Sequence, residues 1–480
     1  MTDVSRREMG GLIALGAVAA GGSAGQAGAA AQRAIPVNRP FPPGFKWGCA
    51  TASYQIEGAA KEDGRGATNW DLFSHTPGRV ADGDTGDVAC DSYHRYAEDT
   101  RLLKALGVRT YRMSIAWSRI FPDGRGRPNP KGVDHYDRVI DTLLATGIEP
   151  YVTMFHWDLP AALPGGWQSR DTAQAFADYA GFMAGRLSDR VGHFMTTNEI
   201  RCFTDLGHKS GIHAPGLKLP DAEANQVRHH GVLAHGLGVQ AIRANARPGT
   251  QVGLAENPNF YVPVIETPEH IEAARRATRD DNAPFLTAVM EGRYLDSYLR
   301  AAGAAAPKVM PGDMKAIGSP VDFVGLNVYA PQYVRSDAAA PGYVILPHLP
   351  SSPRMASPWL YVGPEVAYWA VRQVSELWRP KAIYISENGC SADDPVVNGR
   401  VDDADRVMYL RNYITHLQRA AAEGYPLAGY FLWSLMDNFE WADGYGKRFG
   451  IHHVDFRTQQ RTPKLSALWY KELVARNRLV

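Results

Sequence analysis

Cysteine is scarce in this chain of 480 residues: Cys49, Cys90, Cys202 and Cys390 stand far apart, with no C-x-x-C pair and no histidines at zinc-site spacing. A structural metal is excluded on that pattern, and no metal or other cofactor is assigned. Four scattered thiols fix no disulfide pairing. An excess of one charge is missing too, since 51 Lys and Arg face 50 Asp and Glu for a formal +1, which leaves no field to hold nucleic acid or anionic lipid. No uninterrupted apolar run of roughly 18 residues lies beyond the N-terminal region, so no membrane span is expected in the mature chain. The chain also lacks a G-x-G-x-x-G after its first strand-like run, which argues against a dinucleotide fold. Internal repeats and an interdomain linker are absent as well.

The N-terminus departs from globular composition. Ser5, Arg6 and Arg7 precede Met9 and a Gly/Ala-rich stretch with Leu12, Ile13, Leu15 and Val18, followed by small residues through Ala27, Ala29 and Ala31. A charged start, a short apolar run and an Ala-x-Ala end describe an export signal, and the paired arginines point to the twin-arginine route. Residues 1–31 are therefore expected to be that signal, and the mature protein to be periplasmic or secreted. The remainder, 41–480, is expected to form a single domain. At 45% hydrophobic and 21% charged the chain has enough apolar residues to bury a large core. Its 11 Trp, 22 Tyr and 16 Phe mostly serve that core, yet provide flat faces on which a sugar ring can stack.

Eight short runs rich in β-branched and aromatic residues recur at 45–57, 108–117, 148–157, 193–200, 251–256, 322–329, 382–387 and 427–435. Helical patterns fall at 94–106, 134–146, 172–187, 225–245, 284–301, 366–378, 405–423 and 465–476. This alternation predicts a parallel sheet with outer helices, and eight units favour an α/β fold of the (β/α)8 TIM-barrel type with elaborated βα loops. In such barrels chemistry sits at the C-terminal strand ends. Here those ends are polar: Gln55 and Glu57, Arg112, His156 and Trp157, Asn198 and Glu199, Asn257, Asn327 and Tyr329, Glu387 and Asn388, and Trp433. A ring of polar residues on most strands is hard to explain by stability alone. The Pro/Ala/Ser stretch 336–358 is expected to project over the mouth after strand six.

Two carboxylates stand beside asparagines at strand ends, in Thr197-Asn198-Glu199 and Ser386-Glu387-Asn388-Gly389. Strands four and seven can face each other across a barrel mouth, so the pair can converge on one bond. Glycoside hydrolysis needs such a pair, one carboxyl to protonate the leaving oxygen and the other to attack or to activate water. The residues alone allow either assignment.

The chain resembles glycoside hydrolase family 1, the retaining β-glycosidases. The resemblance rests on Phe45-Lys46-Trp47-Gly48, Ser53-Tyr54-Gln55-Ile56-Glu57-Gly58, Tyr111-Arg112-Met113-Ser114-Ile115-Ala116-Trp117, Phe155-His156-Trp157-Asp158-Leu159-Pro160, Thr197-Asn198-Glu199, Ile385-Ser386-Glu387-Asn388-Gly389 and the stretch 433–450. It implies that Glu387 is the nucleophile and Glu199 the acid that later serves as base. Arg112 and Tyr329 would keep Glu387 ionised, and the charge on Glu387 would raise the pKa of Glu199. It further implies that Gln55, His156, Asn198, Trp433, Glu440 and Trp441 hold the sugar. Trp157, Asn327, Tyr329 and Phe449 join them from the same segments, and Trp359 faces the leaving group.

Family members acting on phosphorylated sugars lack the Glu-Trp pair found here as Glu440-Trp441, so an unphosphorylated sugar is expected. Thioglucoside-cleaving relatives carry Gln in place of the acid, so Glu199 implies an O-glycoside. Ile200 stands where the family usually has Pro, and Val328 where Tyr is common. The expected partner is a small β-glycoside or short oligosaccharide, and the expected activity that of a β-glucosidase. β-Galactosidase, β-fucosidase or transglycosylating activity on the same fold is the alternative. An inactive sugar-binding barrel has no use for both Glu199 and Glu387.

Overall fold

Eight buried strands give the alternation its physical form. The computed structural model describes residues 39–480; the expected export signal at 1–31 lies outside the described residues. The strands are β1 (Lys46–Ala50), β2 (Thr110–Ser114), β3 (Glu149–Phe155), β4 (His193–Asn198), β5 (Gln251–Glu256), β6 (Phe323–Asn327), β7 (Ile383–Asn388) and β8 (Leu427–Trp433). They close in the order β1-β8-β7-β6-β5-β4-β3-β2, every pair parallel. β1 completes the ring by pairing with both β2, where Gly48 faces Thr110, and β8, where Trp47 faces Tyr430. Both faces of each strand are covered, which is why the runs read as continuously apolar. This is the expected (β/α)8 barrel.

The lumen is filled at its base. Tyr151 of β3 stacks on His193 of β4 with centroids 4.2 Å apart, and meets Phe431 of β8 at 4.9 Å and Tyr384 of β7 at 5.5 Å. Strands β3, β7 and β8 are not all neighbours, so these rings can meet only inside the barrel. An aromatic plug of this kind confines any open space to the C-terminal mouth.

Helices Ser92–Leu106, Pro130–Ala145, Asp171–Leu187, Asp221–Asn245, Val366–Trp378, Ala404–Ala422 and Leu465–Arg476 follow the expected segments closely. The departures have local causes. The run 45–57 is strand only to Ala50; Ser53–Ile56 is a helical turn, because the Ser53 N–H donates to Ser114 Oγ at 2.7 Å and bends the chain across the mouth. The expected helix 284–301 is two pieces, Leu286–Glu291 and Asp296–Ala302, parted at Gly292, whose φ of 62° ends the first. The stretch 336–358 is no simple loop. It begins within a three-stranded side sheet of Tyr261–Pro263, Gln332–Ser336 and Tyr343–Leu346, whose turn carries Pro341-Gly342. All four cysteines are buried and free.

Buried charges tie the loop after β7 to the loop after β8. Lys464 Nζ reaches Asp394 at 2.5 Å and Asp437 at 2.6 Å, Arg406 pairs with Asp394 at 2.7 Å and also with Asp403, and Arg448 meets Asp437 at 2.7 Å. Three cations face three carboxylates, so no charge is left uncompensated in the low-dielectric interior.

Candidate active site

β2, β4 and β7 deliver the charged residues to one point. Glu387, near the end of β7, accepts from Arg112 Nη1 at 2.5 Å on one carboxylate oxygen and from the Tyr329 hydroxyl at 2.9 Å on the other. Arg112 is wholly buried. Its Nε donates to Thr153 Oγ1 at 3.1 Å, its Nη1 also to the Ser386 carbonyl at 3.3 Å, and its Nη2 to Asn198 Oδ1 at 2.6 Å. One guanidinium thereby clamps β2, β3, β4 and β7, a task for which its rigid fork of donors is suited. The Asn-Gly after the nucleophile candidate has a physical explanation. Asn388 Nδ2 donates to the Val328 carbonyl at 2.7 Å and its Oδ1 accepts from Tyr430 at 2.9 Å. A Cβ on Gly389 would lie 1.7 Å from the Trp433 carbonyl oxygen, so only glycine lets β7 and β8 end this close together.

Glu199 follows β4 directly. Its backbone is left-handed, with φ of 49°, a conformation that a glutamate keeps only when the surroundings impose it. Its Oε1 accepts from Asn327 Nδ2 at 2.6 Å. Asn327 also donates to Asn198 Oδ1 at 3.0 Å and accepts from Ser386 Oγ at 2.7 Å. A continuous polar line thus runs from Glu199 through Asn327 and Asn198 to Arg112 and Glu387.

Burial pushes the Glu199 carboxyl up to about 8, and the negative charge of Glu387 adds to the push. Burial also raises Glu387, against the downward pull of Arg112, Tyr329 and Asn327. The expected pull of Arg112 and Tyr329 toward an ionised Glu387 is present, but burial outweighs it and leaves the carboxyl raised. The two sites still differ in kind, because Glu387 faces a cation whereas the partners of Glu199 are the Asn327 amide and the Cys202 thiol, both uncharged. Of the pair, Glu387 releases its proton first.

The sugar-binding candidates form a floor and a wall. His156 lies nearly parallel to Trp433 (5.8 Å, 18°) and to Trp441 (5.9 Å, 16°). Burial and the nearby Arg112 hold the imidazole neutral. Its Nε2 sits 3.1 Å from Asn198 Nδ2, and its Nδ1 has no partner among the described residues; with Nε2 accepting, Nδ1 carries the proton and offers a donor. Gln55 Nε2 donates to the Phe439 carbonyl at 2.9 Å, Asn438 Oδ1 at 3.0 Å and Glu440 Oε2 at 3.3 Å, while its Oε1 has no partner among the described residues. Trp441 packs on Trp157 at 4.5 Å and Trp70 at 4.6 Å, and Trp157 Nε1 is fixed to the Asn198 carbonyl at 2.9 Å. Opposite, Trp359 and Phe449 lie near-parallel at 6.4 Å, both against Tyr329. Trp359 is 48% exposed and stands at the rim.

A cavity of about 580 Å³ is lined by Glu199, Glu387, His156, Trp157, Asn198, Tyr329, Trp359, Trp433, Glu440, Trp441 and Phe449. Arg112, Asn327 and Gln55 do not line it; they stand directly behind and hold residues that do. Sequence reasoning missed Arg201, Cys202, Leu206, Ile212, His213, Ala442 and Asp443, and left Asn257 unassigned although it follows a strand end. Arg201 to Leu206 reach the cavity from the start of a wide π-type helix, Cys202–Ser210, for which the local pattern carries no distinct signal. Burial and the charges of Asp443, Glu387 and Glu199 raise the Glu440 carboxyl well above its ordinary range.

Known proteins match this arrangement over nearly the whole chain. The sequence profile described as Glycosyl hydrolase family 1 matches residues 37–479. Beta-glucosidase A of Thermotoga maritima is 45% identical over 443 residues, covering 92% of this chain and 98% of that protein. The 1,4-beta-D-glucan glucohydrolase of Thermotoga neapolitana is 44% identical over 443 residues, covering 92% and 99%. The solved structure of the Thermotoga maritima family 1 glycoside hydrolase complexed with a cyclophellitol analogue transition state mimic superposes with a TM-score of 0.85 at 43% identity, covering 93% of this chain and 100% of that one.

Proposed function

The chain belongs to glycosyl hydrolase family 1, and from that membership we propose that it releases terminal β-D-glucosyl residues from O-glycosides with retention of configuration. The observation that carries the reading is the asymmetry of the two carboxyls, Glu387 clamped by Arg112 and Tyr329 and Glu199 raised to about 8 with the uncharged Asn327 and Cys202 as its bonded partners. Glu387 attacks the anomeric carbon while Glu199 passes its proton to the departing oxygen. The new bond joins sugar and Glu387; the old one leaves with the aglycone alcohol. Glu199, now ionised, takes a proton from water as that water attacks the anomeric carbon on the face the aglycone left, opposite Glu387, which departs as a carboxylate; two inversions give net retention and both carboxyls are restored.

Binding follows from polar groups on the cavity floor and the groups that hold them. His156 Nδ1, without a partner among the described residues, donates to a sugar hydroxyl, Glu440, held from behind by Gln55 Nε2, faces the sugar beside it, and Trp433 supplies the flat face. A cavity of about 580 Å³ falls in the size range of small-molecule sites. A phosphorylated sugar is disfavoured because its charge would be set beside Glu440, a carboxyl that burial and the acidic neighbours Asp443, Glu387 and Glu199 already raise and which offers it no cation. The test is turnover of 4-nitrophenyl β-D-glucoside beside its galactoside, fucoside and 6-phosphoglucoside, with the released anomer followed by NMR. Glucoside cleavage with β-glucose appearing first and no turnover of the phosphorylated substrate is expected; α-glucose first would refute retention.

Its place of work is the periplasm or the medium, reached through the twin-arginine route. Arg6-Arg7, the apolar stretch from Leu12 to Val18 and the Ala-rich end support this. Exchanging both arginines for lysine, Arg6→Lys with Arg7→Lys, is expected to leave active enzyme in the cytoplasm of a bacterial host. An unchanged distribution of activity between cytoplasm and periplasm would discard the route.

A further inference from the structure

We propose that Glu256, the last residue of β5, is a positioning residue that aims Glu199 by holding the backbone immediately after it. The inference rests on the reading of Glu199 as the acid. Glu256 is buried, and nothing in the double displacement just described uses it. Its Oε2 accepts from the Ile200 N–H at 2.9 Å and its Oε1 from the Arg201 N–H at 3.4 Å. The N–H of Glu199 itself donates to the carbonyl of Ala255 at 2.8 Å. Three consecutive amides, those of residues 199, 200 and 201, thus end on two consecutive residues of β5. The acid hangs from a neighbouring strand rather than from its own.

Such a suspension answers a mechanical need. Glu199 keeps a left-handed backbone, φ 49°, that a side chain with a Cβ rarely adopts and that reverts unless the surroundings fix it. At position 200, where the family usually has Pro, this chain has Ile200. Proline restricts the backbone by its ring and offers no N–H. Ile200 gives up that restriction and gains a donor, and Glu256 supplies the acceptor. A carboxylate suits the task because both oxygens accept, one for each amide, whereas a carboxamide accepts on one side only.

The same group bears on the proton of Glu199. Burial pushes Glu256 up to about 7, against the pull of the Ile200, Arg201 and Asn257 amides and the Arg201 guanidinium. In its ionised form it raises Glu199. Glu199 also feels Glu387 from β7 and is bonded by Asn327 from β6 and by Cys202 on the following turn; Tyr329 and Glu440 lie within its electrostatic reach across the mouth. Removing the Glu256 charge while leaving these in place lowers the pKa of Glu199, so the alkaline fall of kcat/KM moves to lower pH.

The experiment compares wild type with Glu256→Gln and Glu256→Leu on two glucosides, methyl β-D-glucoside, whose leaving group needs a proton, and 2,4-dinitrophenyl β-D-glucoside, whose leaving group does not. For Glu256→Leu, kcat/KM on the methyl glucoside is expected to fall by about 10- to 100-fold while the activated substrate changes by less than about 3-fold. Glu256→Gln, which preserves volume and one of the two bonds, is expected to lie between, with the alkaline limb shifted down; it decides the matter if the leucine variant does not fold. Equal losses on both substrates, or no loss and no shift of the limb in the glutamine variant, would overturn the proposal. Wild-type inactivity on the activated glucoside would overturn the glycosidase reading and this inference with it.

Discussion

Replacing Glu387 with alanine is expected to lower kcat/KM on 4-nitrophenyl β-D-glucoside by about 10,000-fold or more, because no covalent intermediate can form without it. The substitution also strands the buried Arg112, which has Glu387 as its carboxylate partner, and an unpaired buried cation is costly. Glu387→Gln preserves shape and the contact with Tyr329, and so separates lost chemistry from lost structure. In the alanine variant an added small anion such as azide has space to attack from the vacated side, and its product is the α-glucosyl azide, inverted relative to substrate. Activity of the alanine variant within tenfold of wild type would remove Glu387 from the nucleophile's role.

Glu199→Ala is expected to cost about 100- to 10,000-fold on substrates with poor leaving groups, the usual worth of a placed acid or base, and far less on 2,4-dinitrophenyl β-D-glucoside. Here azide intercepts the glycosyl-enzyme, so the product is the β-glucosyl azide; opposite anomers from the two variants assign the two carboxyls independently. The pH profile gives a second handle. Glu199 must be protonated to act as the acid, and its pKa is raised to about 8, so wild-type kcat/KM falls as pH climbs through about 8, and the alanine variant loses that limb. Failure of azide to accelerate the variant on the activated substrate would withdraw the acid/base assignment.

What was legible in advance divides along physical lines. The carboxyls could be read because the barrel maps linear position onto the mouth: Glu199, Glu387 and Asn327 meet there through their place at or beside strand ends, while Arg112, mid-strand in β2, reaches them by the length of its side chain. Helices Val366–Trp378 and Leu465–Arg476 matched their expected bounds because each is closed by a left-handed residue, Arg379 and Asn477, the first also carrying a clear apolar face. The segment 284–301 was misread because its apolar spacing continues past Gly292 although the backbone turns there. Nothing in the sequence singles out Glu256; its meaning depends on which amides fold onto it, and that is a tertiary fact. The raised pKa of Glu387 escaped for a similar reason, since desolvation depends on everything packed around a group and not on its two named partners.

The ring closes between β1 and β8, which are far apart along the chain. Gln55 holds Glu440 across 385 positions, and Trp47 Nε1 bonds Asn477 Oδ1 across 430. Contacts of such separation form late, after the entropy of joining the ends has been met. A nascent chain leaving the ribosome N-terminus first therefore carries Gln55, His156 and Glu199 for most of its synthesis with no sugar site among them. The cavity closes only once the last segments arrive, so a product cut short after β7 would retain Glu199 and Glu387 and lack Trp433, Glu440, Trp441 and Phe449 of the lining.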